Sequence, residues 1–222
     1  MTDSPLKLVV FDCDGTLVDS QHNIIQCMEL AFHTNGLPKP SPHDVRGIIG
    51  LNLDQAIFEL LPVKDDRGLW SRVVSTYKQA FFEQRQLPDH EEPLYEGAKE
   101  ALDYFYERDI LMAVATGKSM RGLNAVVERH GLEKYFTSLQ TPDHNPGKPH
   151  PQMIYAAMEA VGAEKEHTFM VGDTSFDMQL GKNAGCTAIG VNWGYHDTEF
   201  LKQNGADYMI SHFNELFPLI SD

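Results

Sequence analysis

The stretch VVFDCDGTLVDS, Val9–Ser20, decides how this chain is read. The run Leu6–Phe11 is continuous rather than alternating in hydrophobicity, the pattern of a strand buried on both faces of a parallel sheet covered by helices. It stops at Asp12 and Asp14, one residue apart. Residues i and i+2 of an extended segment point the same way, so both carboxylates face one space, with Gly15 and Thr16 turning the chain beside them. Two carboxylates that close persist if a cation holds them or if they share a proton. A hard divalent ion such as Mg2+, which prefers oxygen ligands, suits the pair; the plainer alternative is a solvated acidic turn. Strand alternation turns Cys13 away from the side the two Asp face.

The 222 residues suffice for one large domain or two small ones. With 18 Lys+Arg against 32 Asp+Glu, the formal charge is -14. No basic stripe offsets it, which argues against a nucleic-acid or anionic-membrane surface. An acidic chain that handles an anion must concentrate its few positive charges locally. No signal-peptide pattern opens the sequence and no apolar run is long enough to span a bilayer, so a cytoplasmic protein is expected. Cys13, Cys27 and Cys186 are too few and scattered for a disulfide framework or a zinc site.

After the acidic turn, Ile24, Cys27, Met28 and Ala31 recur at helical spacing until Gly36. Ser41-Pro42 with Asp44 predicts a capped short helix that breaks around Gly47 and Gly50, and Asn52 opens another, ending at Pro62. A longer helix follows, with Leu69, Val73, Val74, Tyr77 and Phe81 on one side. Beyond the connection Pro88 to Pro93, strands alternate with helices: strands at Ile110 to Thr116, near Phe136, at Thr168 to Gly172, Thr187 to Val191 and Tyr208 to Ser211. Such alternation predicts an α/β fold, a doubly wound, Rossmann-like parallel sheet with right-handed crossovers. The first strand belongs to this later set. Residues 1–18 and 88–222 are therefore expected to form the core domain, and residues 19–87 an inserted helical domain standing over the strand tips as a lid.

Three more polar clusters follow apolar strands. Thr116 and Gly117 precede a helix start, where a hydroxyl and a backbone N–H can meet phosphate oxygens, or simply make a turn. Lys148 sits between prolines in Pro146-Gly147-Lys148-Pro149-His150-Pro151, a rigid loop able to hold a charge against carboxylates; a solvated surface lysine is the plainer reading, and His150 reads as structural. Asp173 ends a strand as a natural third metal ligand, and Asp177 lies one helical turn on to brace it. An N-cap would look the same in isolation. The conjunction at four strand ends decides between them.

These four segments resemble the four motifs of the haloacid dehalogenase (HAD) superfamily, and the helical insertion resembles its C1-type cap. The likeness covers nearly the whole chain. It implies Asp12 as nucleophile, Asp14 as general acid/base, Thr116 and Gly117 as phosphoryl-binding groups and Lys148 as charge stabiliser. Mg2+ would be held by Asp12, the backbone carbonyl of Asp14 and Asp173, with Asp177 in support or reaching the metal through water. Asp14 argues against dehalogenases and phosphonatases, which lack that residue. β-Phosphoglucomutases carry a cap-hinge His where Ile24 aligns and a Ser where Thr116 stands; His22 reads as a surface residue. The first motif is most similar to the phosphoglycolate phosphatase subgroup, implying an Mg2+-dependent phosphatase of a small phosphorylated metabolite, 2-phosphoglycolate first. Pyrophosphatase, nucleotidase and sugar-phosphate phosphatase are the neighbouring readings, with a phosphomutase or a catalytically silent binding module further off. Arg46, in the cap's helix break, is a candidate contact for a substrate carboxylate or second phosphate. Trp70 and Tyr77 read as cap core. Monomer and homodimer are both compatible with the sequence.

Overall fold

The computed structural model describes residues 5–88 and 90–221. Six parallel strands form one sheet: β1 (Leu8–Phe11), β2 (Leu111–Ala115), β3 (Phe136–Gln140), β4 (Thr168–Gly172), β5 (Thr187–Val191) and β6 (Tyr208–Ile210), in the order β3-β2-β1-β4-β5-β6. β1 pairs with β2 on one side and β4 on the other, with Phe11 opposite Val114 and Val171. Its four residues are fully buried, as the unbroken apolar run requires. Alternation assigns them to two cores. Val9 and Phe11 join Met112, Val114, Leu102, Phe105 and Leu123 on one face, while Leu8 and Val10 join Ala113, Ala115, Met153, Ile154 and Leu180 on the other.

The first face is covered by α5 (Ala98–Tyr106), α6 (Met120–His130) and α10 (Leu216–Ser221), the second by α7 (Gln152–Val161) and α8 (Ser175–Ala184), with α9 (Thr198–Gln203) packing beside β5. Layered helices on a parallel sheet make the doubly wound architecture. Strand order reverses between β1 and β4, which opens a crevice at their carboxyl ends.

Between β1 and α5 run four helices, α1 (Gln21–Thr34), α2 (Pro42–Ile48), α3 (Leu53–Leu60) and α4 (Arg67–Gln84), with their own apolar cluster of Met28, Phe32, Val45, Ile57 and Val73. Their starts are locally encoded. Ser41, Asn52 and Asp66 each accept a hydrogen bond from a backbone N–H in the first turn, and Pro42 opens α2. The two connections between insert and sheet run side by side: Asp19 N donates to Pro93 O, Tyr95 N donates to Leu17 O, and Val18 bridges Leu94. The insert thus leaves and re-enters beside the tip of β1. Its loop at 50–52 presses onto the sheet's loops so closely that a side chain at Gly117 would lie 2.5 Å from Leu51 O, and one at Gly147 2.6 Å from Asn52 Nδ2. Among the described residues no helix is long and apolar enough to cross a membrane.

Candidate active site

Four strand ends and their loops converge at the crevice. Asp12, directly after β1, is 1 % exposed, and neither of its carboxylate oxygens has a hydrogen-bond partner among the described residues. Lys148 Nζ lies 2.8 Å from Asp12 Oδ1, a charge contact without hydrogen-bond alignment, and 2.5 Å from Asp177 Oδ1. The Lys148–Pro149 bond is cis. Asp173, after β4, accepts from Thr16 Oγ1 at 2.8 Å and from Tyr195 N at 2.9 Å. Asp177 Oδ2 accepts from Thr174 N and Thr174 Oγ1, closing a capping box at the start of α8.

Carboxylate oxygens of Asp12, Asp173 and Asp177 all lie within 4.8 Å of one another, deep in the protein. One lysine cannot neutralise three such groups. Burial, opposed by Lys148 and reinforced by Asp177 and Asp14, pushes the Asp12 carboxyl up to about 7. Burial, then Asp177 and Asp12, hold Asp173 well above the usual carboxylate range. For Lys148 burial works against the charge, but Asp12 and Asp177 outweigh it and hold the ammonium above its ordinary value. Three buried carboxylates offset by one lysine, with Asp12 Oδ2 unpartnered among the described residues, are what a bound cation would satisfy, and the all-oxygen donor set fits a metal ion of the hard class.

Backbone shape makes this crowding possible. Gly15 has φ +89°, and a Cβ there would fall 2.2 Å from Asp173 Oδ2. From the other side a Cβ at Gly194 would fall 2.1 Å from Asp173 Cβ. Asp173 is gripped between two loops that carry no side chain at the point of contact.

Asp14, also buried, faces a different set of partners. Ser20 Oγ donates to its Oδ1 at 2.5 Å, and Lys118 Nζ lies 2.8 Å from the same oxygen. Lys118 Nζ is also 3.7 Å from Glu92 Oε1; Glu92, 2 % exposed, meets His90 Nε2 at 3.1 Å and Arg85 Nη2 at 3.9 Å. A buried chain of charges therefore links Asp14 to the segment that returns from the insert to the sheet. Burial opposes the Lys118 charge, but Asp14 and Glu92 outweigh it and raise the ammonium above its ordinary value.

Asp12, Asp14, Thr116 and Gly117 line one cavity of about 640 Å3 between the insert and the strand ends. Thr116 Oγ1 accepts from Lys118 N at 3.2 Å, and α6 starts just beyond under a Ser119 cap. Arg46 lies outside this cavity's lining, and its Nε donates to Gln21 Oε1 at 2.9 Å. Cys13 is buried, and burial pushes its thiol well up, as expected of an inert side chain. His150 accepts from Gln152 N in its own loop, and Trp70 Nε1 donates to Asp54 O within the insert. Tyr77 packs in the insert's core and also lines the cavity, so one ring has both roles.

Sequence reasoning missed Lys118, Glu92, Ser20 and Tyr195. Lys118 adjoins the Thr-Gly pair and was open to the same argument; Ser20 closes the first motif. Glu92 and Tyr195 carried no local signal, because each reaches the site through a long loop closure.

A parallel sheet with paired aspartates at one strand tip, a third at its neighbour's, and a lysine from a proline-bounded loop defines a carboxylate-centred catalytic fold. The chain belongs to the haloacid dehalogenase-like hydrolases, whose family model matches residues 9–191. It is similar to a protein of Dickeya dadantii named "Probable phosphatase IndB", at 37% identity over 94% of this chain and 91% of the relative. It is also similar to a phosphoglycolate phosphatase of Vibrio parahaemolyticus, at 28% identity over 100% of this chain and 99% of the relative. A hydrolase of known structure from Pseudomonas syringae shares the fold, with a TM-score of 0.82 at 22% identity, covering 97% of this chain and 98% of that one.

Proposed function

We propose that this chain is an Mg2+-dependent phosphatase that hydrolyses a small phosphomonoester through a phosphorylated Asp12. The observation that carries the reading is the Asp12 carboxylate itself: buried, ion-paired with Lys148 at 2.8 Å through Oδ1, and with Oδ2 unpartnered among the described residues, inside a three-carboxylate cluster. A buried carboxylate paired with one lysine through Oδ1, and with Oδ2 unpartnered among the described residues, leaves an oxygen to act as a nucleophile. The names of the Dickeya and Vibrio relatives point the same way.

In this reading Asp12 attacks phosphorus as the bond to the leaving oxygen breaks, and Asp14 gives that oxygen its proton. Asp14, now ionised, takes a proton from the water that attacks the aspartyl-phosphate, releasing phosphate and freeing Asp12. Thr116 and the Gly117 N–H orient the phosphoryl oxygens, and Lys148 offsets their charge together with that of Asp12. Asp12, the Asp14 carbonyl and Asp173 would hold Mg2+, with Asp177 in support because Lys148 and Thr174 already occupy its oxygens. When bound, Mg2+ supplies positive charge that lowers the repulsion between phosphate and carboxylates. Residues 19–87 act as a cap over the site, and Arg46 takes no part in the reaction as proposed. Mutase and silent-module readings draw no support from a particular observation.

2-Phosphoglycolate is the first substrate to try, followed by pyrophosphate, mononucleotides and sugar phosphates. Phosphate release is measured with Mg2+ and with EDTA, for the wild type and Asp12→Asn. Turnover that needs Mg2+ and disappears with the substitution is expected. Turnover that persists in Asp12→Asn overturns the proposal.

A further inference from the structure

We infer that the preferred substrates are phosphomonoesters whose leaving alcohol carries a flat, largely uncharged ring system, in preference to small dianionic acids. This rests on the phosphatase reading above and names the side of the site that receives the leaving group.

That side is defined by Asp14, the proton donor to the leaving oxygen. Lys118 Nζ, 2.8 Å from Asp14 Oδ1, also lies 5.4 Å from the ring centre of Phe81. One cation therefore separates the donor from an aromatic wall. Phe81 stacks on Tyr77 with ring centres 5.8 Å apart and planes inclined by 26°. Met28, Ile48, Leu53 and Phe82 continue the apolar lining of the same cavity. Phe82 is 45 % exposed, with the Arg121 guanidinium 5.3 Å from its ring centre.

Volume and charge agree. About 640 Å3 falls within the range of roughly 300–1,000 Å3 that encloses drug-sized ligands, whereas the two-carbon remainder of 2-phosphoglycolate would leave most of the apolar wall facing water. A second anionic group would also find no free buried cation. Lys118 is held by Asp14 and Glu92, and Arg85 by Glu92 and the Gly122 carbonyl. The other charges of the lining, Lys78 and Arg121 against Asp54 and Asp143, are all exposed, where solvent screens them and the two signs balance. Moving a carboxylate or second phosphate against apolar walls without a partner is costly. A ring loses nothing there and gains aromatic contact.

Two readouts test this. Binding to Mg2+-loaded Asp12→Asn is measured by calorimetry for benzyl phosphate and 5'-mononucleotides against 2-phosphoglycolate and pyrophosphate, and kcat/KM is measured for the same panel with the wild type. Ring-bearing esters are expected to bind at least about tenfold more tightly and to lead in kcat/KM by roughly a hundredfold, the scale on which an apolar pocket discriminates. Phe82→Ala is expected to lower the ratio of kcat/KM between benzyl phosphate and 2-phosphoglycolate by roughly tenfold; a purely structural role would lower both together. Equal or tighter binding of 2-phosphoglycolate or pyrophosphate, or a ratio unmoved in Phe82→Ala, overturns the inference and leaves the phosphatase intact. Absence of turnover on every ester overturns the phosphatase reading itself, and the inference with it.

Discussion

Replacing Lys118 by Met removes the cation that stands between two buried carboxylates. Its side chain is 8 % exposed, 2.8 Å from Asp14 and 3.7 Å from Glu92. Removing one partner of a buried ion pair costs about 3–5 kcal/mol, because the remaining charge stays buried without compensation. Glu92 keeps His90 and Arg85 nearby, and Asp14 keeps the Ser20 hydroxyl. The lower end, about 3 kcal/mol, is therefore expected. In a chain of this length each kcal/mol moves Tm by roughly 2–4 °C, which gives a fall of roughly 6–12 °C. Glu92→Gln in the same protein removes the other carboxylate charge that Lys118 offsets, so the double variant should recover part of that loss. Calorimetric melts of the wild type, both single variants and the double variant measure the coupling. A fall below about 2 °C in Lys118→Met, or strictly additive losses in the double variant, would refute the buried-network reasoning.

Protonation of the carboxylate cluster gives the next expectations. The Asp12 carboxyl is raised from its ordinary 3.8 to about 7, so its contribution to stability is complete below 3.8 and is lost as pH rises through about 7. In EDTA the wild type should melt at lower temperature at pH 8 than at pH 5.5, and Asp12→Asn should narrow that gap, since the amide carries no charge to bury. Conversely, the rise in Tm on adding Mg2+ should be larger at pH 8 than at pH 5.5, because at low pH the ion must displace protons; an equal rise at both would contradict the metal assignment. Gly15→Ala puts a Cβ 2.2 Å from Asp173 Oδ2 at φ +89°, so it should lower kcat by roughly a hundredfold through displacement of the carboxylate. Unchanged kinetics in a folded Gly15→Ala protein would show that Asp173 is not needed where it stands.

Strand positions were legible because burial on both faces leaves an unbroken apolar run, as in Val9–Phe11, Val114 and Met170–Val171. Caps at Ser41 and Asn52 were legible because each acts within one turn of its own helix. The polar clusters could be placed together since those of Asp12, Thr116 and Asp173 directly follow strands of a parallel sheet, whose ends share one edge, and Lys148 lies in the loop that leads from β3 to α7. What escaped the sequence acts at a distance. Glu92 sits in the proline-marked connection Pro88 to Pro93, yet it is buried because Lys118, His90 and Arg85 surround it. Tyr195 reaches Asp173 only through the close approach of Gly194, a contact that no local pattern reports. Arg46 has the right charge for an anion but bonds to Gln21 instead, since its helix faces α1 there. Tyr77 shows the limit of periodicity: a position on the insert's apolar face can also form a cavity wall.

In the proposed reaction phosphorus passes through Asp12. Quenching the enzyme in acid during turnover, reducing the acyl-phosphate with borohydride and mapping the peptide spanning Val9–Ser20 tests it most directly. Homoserine is expected at position 12, dependent on both Mg2+ and substrate. Steady turnover with Asp12 unmodified, or with the modification at Asp14 or Asp173, would contradict it.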